Sequence, residues 1–331
     1  MSITIKDVAK EAGVSVATVS RVLNGSCNVS DESTKKVNET IARLNYSPNF
    51  LGRNLRKCET NVILVIMPTS EHSLYSKIVM GMQEYAGKVG YDIITAVSYS
   101  TSTAETRQMN MLFNRTVDGV ILLGTQYDAA SLNKLAENYN VALCCEGVEG
   151  ANVLTVAVDD EQAAFDAVAA LIKKGHKRIG FIGTNSAAIS STARENGYIR
   201  ALKEYGMEIK NEFIYKESYD YDCGGRAFEY FNALDEKPTA IFAVSDLLAI
   251  SAMHKAIDMD IDVGKDVAIM GFDNISMCEW IIPTLSTVEQ PCSKMGELVV
   301  AKLIENMNKT TKDNHYYTVD HRIILRESTG D

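Results

Sequence analysis

Residues 4–24 read T-I-K-D-V-A-K-E-A-G-V-S-V-A-T-V-S-R-V-L-N, and this stretch decides how the N-terminus folds. Val8, Ala9 and Ala12 fall at helical spacing in its first half, and Val14, Val19 and Val22 do so around its second. Gly13 stands where the first helix must stop, and glycine tolerates the left-handed backbone such stops use. Ser15 then offers an oxygen to cap the free amides of the second segment. Helix, glycine turn and capped helix make a helix-turn-helix, whose second helix presents its first residues to base edges in a DNA major groove. Val16, Ala17, Thr18, Ser20 and Arg21 are small or polar enough there for close approach to a duplex. The pattern by itself also fits an ordinary helical hairpin.

Outward from this pair, Asn24 leads into a loop, and Ser30-Asp31-Glu32-Ser33 supplies caps for a third helix running to about Asn45. Val37, Ile41 and Leu44 would pack it on the first two. Tyr46-Ser47-Pro48-Asn49 closes the unit, since proline disfavours helix at the residue before it. Residues 50–57 (F-L-G-R-N-L-R-K) are basic with isolated apolar side chains, a marginal helix alone.

Charge separates this head from the rest. The chain of 331 residues carries a net charge of −10, which argues against a polyanionic partner. Residues 1–57, however, hold nine Lys/Arg and five Asp/Glu, a net of +4, and the remainder nets −14. A basic head on an acidic body confines nucleic-acid binding to one end. The 46% hydrophobic content is that of a globular protein, and no apolar run is membrane-sized. With no secretory signal at the start, a cytoplasmic location is expected. Seven cysteines without C-x-x-C spacing fit reduced thiols, and Cys144-Cys145 reads as strand packing.

From residue 61 short apolar runs alternate with amphipathic helices. Strands are expected at 62–67, 92–96, 119–123, 141–145 and 154–158, separated by helices around 74–88, 103–115 and 129–138. A second series places strands at 178–182, 212–216, 239–244 and 266–271, with helices at about 160–174, 191–205, 222–233 and 246–258. Two runs of alternation mean two doubly wound α/β lobes with parallel sheets. Residues 287–291 lead into a helix reaching about 307, and 321–325 form a last strand. Such sheets take ligands beyond the carboxyl ends of their strands, so the cleft between lobes is the expected pocket.

Enzyme chemistry is not expected. There is no nucleophile elbow, zinc-protease motif or glycine-rich phosphate loop, and His176 reads as a solvated turn. No cofactor or metal is expected.

The wording of residues 4–24 resembles the DNA-binding headpiece of the lactose/galactose repressor (LacI/GalR) family, and the resemblance spans essentially the whole chain. It implies a headpiece at 1–47, a hinge or linker at 48–60 and an effector-binding, dimerising body of periplasmic-binding-protein type at 61–331. Its N-lobe would take about 61–158 plus 289–318, and its C-lobe about 159–288 plus 319–331. The hinge would fold on DNA with Leu55 wedged into the minor groove and Arg53, Arg56 and Lys57 on phosphates. Bases would be met by Val16, Ala17, Thr18, Ser20 and Arg21. Thr4, Asn24, Ser15, Ser30, Thr34, Tyr46 and Asn49 complete the expected DNA face.

For the effector, the resemblance places Arg194 (R-x-x-G-Y), Tyr219 and Asp273 (G-F-D-N) in the pocket. Tyr75, Asp159, Ser245 and Asp246 follow strands and join them as candidates, although Asp159 and Asp246 would equally serve as helix caps and Tyr75 as an ordinary tyrosine. Asp160 stands where relatives often carry asparagine. Motifs such as I-L-V-I-x-P and G-H-K-R-I-G are similar to the cytidine (nucleoside) repressor branch, which leans the effector towards a nucleoside, with sugar or sugar phosphate open. The expected partners are operator DNA with a central CG step, a small effector and a second copy of the chain, with no tetramerising helix. A transport-type solute-binding protein and a ligand-independent architectural DNA-binding protein are the other classes that this architecture allows.

Overall fold

A computed structural model describes residues 3–23, 29–46, 59–70, 72–185, 188–309 and 312–331. The chain divides into two compact units, Met1–Glu59 and Thr60–Asp331.

In the first unit α1 spans Ile5–Ala12, α2 Val16–Leu23 and α3 Asp31–Leu44. Gly13 ends α1 at φ 67°, and its N–H reaches the carbonyls of Ala9 and Lys10. Ser15 Oγ accepts the Thr18 N–H at 3.1 Å, and Ser30 caps α3 by accepting the Ser33 N–H at 3.4 Å. Val8, Ala9, Val19 and Val37 form the core, with Ala12, Val14, Val22, Ile41, Leu44 and Tyr46 packed against it. The apolar periodicity and the caps together build this unit.

The second unit holds two six-stranded sheets. The first contains β1 (Val62–Met67), β2 (Asp92–Val97), β3 (Gly119–Leu122), β4 (Val141–Cys144), β5 (Leu154–Ala157) and β11 (Tyr316–Thr318), in the order β11-β5-β4-β3-β1-β2. The second contains β6 (Ile179–Thr184), β7 (Ile214–Glu217), β8 (Ala240–Ala243), β9 (Ala268–Asp273), β10 (Ser286–Glu289) and β12 (Arg322–Ile324), in the order β12-β10-β9-β8-β6-β7. Their central strands are buried on both faces, as covered parallel sheets require. The chain passes between lobes after β5, after β10 and after β11.

Three features depart from the sequence expectation. Residues 286–289 form β10, paired in parallel with β9, before the helix Cys292–Met307 begins. Residues 316–318 add the edge strand β11. The closing strand β12 runs antiparallel to β10, so the second sheet is not wholly parallel. Among the described residues no helix is long and apolar enough to cross a membrane.

Candidate functional site

The second unit gathers side chains from the carboxyl ends of strands in both lobes. Arg194, on the helix Ile189–Glu204 after β6, is their centre. Its Nε donates to Asp160 Oδ1 at 2.8 Å and its Nη1 to the Val244 carbonyl at 2.6 Å. Its guanidinium lies 3.6 Å over the Phe272 ring, and Nη1 stands 3.6 Å from Asp273 Oδ1. Burial alone would lower the Arg194 pKa, but Asp160 and Asp273 more than offset it and the net shift is upward. Asp160 is itself pushed up, chiefly by burial and against the pull of Arg194.

Asp273 closes β9 in a strained backbone, with φ 116°, and Asn274 follows at φ 52°. Neighbouring positive φ values at non-glycine residues cost free energy and persist where surrounding contacts enforce them. Here the enforcement is visible. Gln290 donates to Asp273 Oδ1 at 2.7 Å, and Lys77 donates to the Asn274 carbonyl at 2.7 Å.

The first lobe contributes His72, Tyr75 and Glu146. His72 Nδ1 accepts the Leu74 N–H, which leaves Nε2 as its N–H, 3.0 Å from the Tyr219 hydroxyl and 3.6 Å from Asp273 Oδ2. The His72 ring also stacks on Tyr219 and tilts against Tyr75. Burial of the hydroxyl pushes the Tyr219 pKa up to about 12, although 45% of the residue is exposed. Tyr75 is shifted the same way, first by burial and then by Cys145, Asp273 and Glu146. Glu146 Oε1 accepts the Ser190 N–H at 2.9 Å, a third bond between the lobes.

Tyr75, Arg194, Tyr219 and Asp273 are thus brought together. Asp159 is not with them. It is exposed and caps the helix Asp160–Lys173 by accepting the Gln162 N–H, while the next residue, Asp160, turns inward to Arg194. Asp246 is also corrected. It is wholly enclosed, with Oδ1 accepting the Thr287 hydroxyl and Oδ2 the Ile275 N–H, and so ties three segments of the second lobe. A Cβ at Gly271 would collide with its Oδ1, so that glycine makes the room. Ser245, nearly buried, caps the helix Asp246–Asp258 and lies beside the Tyr219 hydroxyl.

His72, Glu146, Asp160, Lys77 and Gln290 were not candidates from sequence. A cavity of about 660 Å³ bordered by Lys77, Asn274, Gln290 and Cys292 backs onto the cluster. Elsewhere, His176 is not simply solvated: its Nδ1 lies 3.1 Å from the Thr239 hydroxyl, and burial lowers its pKa. Cys144, Cys145, Cys223, Cys278 and Cys292 are free, and among the described residues no group of three or more His, Cys, Asp or Glu could hold a metal.

In the first unit, Val16, Ala17 and Arg21 are exposed on α2, with Thr18 and Ser20 half-buried beside them. The Thr4 hydroxyl and N–H both donate to Asp7, Thr34 lies in the first turn of α3, and Tyr46 packs on the core. Asn24, Asn49, Arg53, Leu55, Arg56 and Lys57 lie outside the described residues.

Comparison with known proteins decides the family. A family model described as "Bacterial regulatory proteins, lacI family" matches residues 4–49, and one for a "Periplasmic binding protein-like domain" matches residues 168–329. Catabolite control protein A of Priestia megaterium is 38% identical over 331 residues, spanning 99% of this chain and 100% of that protein. The chain belongs to the LacI family. It is similar also to the HTH-type transcriptional repressor CytR of Escherichia coli, at 31% identity over 328 residues, covering 98% of this chain and 96% of that one. Overall identity therefore does not single out the nucleoside branch. The lac repressor dimer bound to operator and the anti-inducer ONPF shares the fold, with a TM-score of 0.89 over 99% of both chains at 22% identity. A CelR–cellobiose complex aligns over 98% of this chain and 99% of that one, with a TM-score of 0.74 and 27% identity. The chain is accordingly a transcriptional regulator with a helix-turn-helix domain.

Proposed function

We propose that this LacI-family regulator is a repressor that binds a near-palindromic operator as a homodimer, its operator affinity set by a small hydroxylated effector held between the lobes. Val16, Ala17, Thr18, Ser20 and Arg21 would meet the bases, and two-fold symmetry of the dimer would impose symmetry on the operator. Arg194, Asp160, Asp273, Tyr219, Tyr75 and His72 would hold the effector. The observation that carries this reading is the convergence of Asp160 and Asp273 on the Arg194 guanidinium at a strained strand end, with His72, Tyr219 and Tyr75 gathered beside Asp273 from both lobes. A ligand touching both lobes favours one lobe arrangement, and linkage makes DNA and effector affinities depend on each other.

Fluorescence anisotropy on a labelled duplex with half-sites about a central CG step tests the DNA arm. Affinity should fall steeply with added salt, and Arg21→Ala should remove sequence preference. In the effector arm, a panel of sugars and nucleosides should raise the melting temperature of the wild type but not of Arg194→Met, and should move the DNA-binding midpoint. Absence of salt-sensitive DNA binding would leave a solute-binding protein. DNA binding with no ligand response from any panel member would leave an architectural one.

A further inference from the structure

The effector site has an excess of carboxylate that its own cations do not match. Asp160 Oδ1 lies 2.8 Å and Asp273 Oδ1 3.6 Å from Arg194, and Glu146 accepts the N–H of Ser190, one turn earlier on the same helix. Against them is Arg194, and further back, beside Cys292, Lys77, whose ammonium is bonded to the Asn274 carbonyl. His72 accepts the Leu74 N–H at Nδ1 and turns Nε2 towards the Tyr219 hydroxyl and Asp273 Oδ2.

The free donors are equally informative. A guanidinium grips phosphate or carboxylate through a pair of parallel N–H groups, either Nε with Nη2 or Nη1 with Nη2. In Arg194 the single Nε–H is taken by Asp160, so the Nε/Nη2 pair is occupied, and Nη1 gives one of its two N–H groups to the Val244 carbonyl. An anionic ligand would find the Nε/Nη2 fork occupied and would face three carboxylates in a desolvated space, where unlike charges attract and like charges repel more strongly than in water. Around the same space stand the rings of Tyr75, Tyr219 and His72, whose faces favour a cation.

From the carboxylate surplus and the hold of Asp160 on Arg194 we infer that the effector is a small polyhydroxylated cation, an amine-bearing sugar or nucleoside analogue, and that phosphorylated ligands are excluded. The inference rests on the cleft being the effector site. Hydroxyls would bond to Asp273 and the remaining Arg194 donors, and the ammonium would lie among Asp160, Glu146 and the tyrosine rings.

Matched sets separate the inference from the reading it rests on. Glucosamine, glucose and glucose 6-phosphate share one ring and differ in charge, as do galactosamine with its neutral and phosphorylated counterparts. A 5′-amino-5′-deoxynucleoside, its parent and its 5′-phosphate extend the series. Calorimetric titration of the full chain should give the amine member of the best-binding set a Kd lower than its neutral counterpart by about tenfold or more, as expected for hydrogen bonds to a charged group. The phosphorylated member should not bind. Asp160→Asn, which keeps an oxygen for Arg194 Nε, and Glu146→Gln should each reduce the amine-over-neutral preference several-fold while binding of the neutral member persists. If the neutral or phosphorylated member binds as tightly as the amine, or if neither variant alters the preference, the inferred charge is wrong and the cleft remains the effector site. If no member of any set binds, the cleft reading falls and the inference with it.

Discussion

At Asp246 a carboxylate meets a setting built for its protonated form. It is fully enclosed, and burial, followed by the nearby Asp273 charge, pushes its pKa from 3.8 to about 7. The folded state therefore holds a proton that the unfolded chain has released, between about pH 4 and pH 7. The stabilisation from this group is complete below the unfolded value and is lost as pH rises through the folded one. Asp246→Asn, which keeps an oxygen for Thr287 or Ile275, carries no such dependence. The stability of wild type relative to Asp246→Asn should decline by at most about 1.4 kcal/mol per pH unit between those limits and level off above them. Urea melts of both proteins at several pH values check this, and a pH-independent difference would sink it. The same residue shows where sequence reading stops. A strand-end aspartate opening a helix fits cap and ligand-holder alike, and only packing from β10 and residue 275 decides. Asp159 and Asp160 divide for a related reason. The cap position turns its side chain back on its own helix, while the next residue points about 100° further round and meets Arg194. Glu146 follows β4, so the strand-end rule that selected Tyr75 reaches it too. His72 stands between β1 and Tyr75 and falls under the same rule, whereas Gln290 carries no such mark, since it follows β10, a strand that the sequence pattern does not show.

Among the elements, the headpiece helices were fully legible because their stability comes from a repeating apolar face and caps of familiar type. Val37 is the apolar side chain of α3 that is fully buried in the core with Val8, Ala9 and Val19, while Ile41 and Leu44 pack against its edge. Val37→Ala should therefore cost the headpiece about 1–2 kcal/mol, since it removes two buried methyl groups. Ser15→Ala removes the cap on Thr18 and should cost about 1 kcal/mol. Because α2 is the expected reading helix, both variants should weaken operator binding while leaving the main thermal transition of the larger unit in place, as calorimetry can resolve. A loss of the larger transition would count against independent units. The strands β10 and β11 escaped notice for the opposite reason. S-T-V-E and Y-Y-T are short, and their polar positions carry no clear alternation; β11 is in addition an exposed edge. Register with β9 and β5 makes them strands, and that is tertiary information. A third element makes its own prediction. The short helix Met277–Trp280 and the residues after it expose Met277, Trp280 at 76% and Ile282 at 87%, a cluster of apolar side chains where single ones are usual. If this face joins two copies, Trp280→Asp should shift the chain from dimer to monomer in light scattering, and should lower operator affinity with it. A dimer that survives the change would place the interface elsewhere.

Across the whole larger unit, the lobes are held by a few polar bridges, and these are where its switch can be altered without touching the effector. Lys77 to the Asn274 carbonyl, His72 to Tyr219 and Glu146 to the Ser190 N–H each join one lobe to the other. Lys77 is the informative one to change, because it bonds to backbone and stands behind the cluster rather than among its rings. Lys77→Met keeps the aliphatic stem and removes the ammonium. The loss is a single partly buried hydrogen bond to a charged donor, worth about 1.5–3 kcal/mol in favour of the joined arrangement. Shifting a two-state equilibrium by that amount changes the populations roughly tenfold to a hundredfold. If effector and operator prefer different lobe arrangements, Lys77→Met should move their affinities in opposite directions. If they prefer the same one, both should move in the same direction. Either pattern fixes whether the effector releases the operator or is needed to hold it, and anisotropy and calorimetry on one preparation measure both. Equal affinities in mutant and wild type for both ligands would mean that this bridge does not distinguish the two states. The coupling would then have to run through His72 and Tyr219, where a substitution also disturbs the effector site and the two effects cannot be separated by affinity alone.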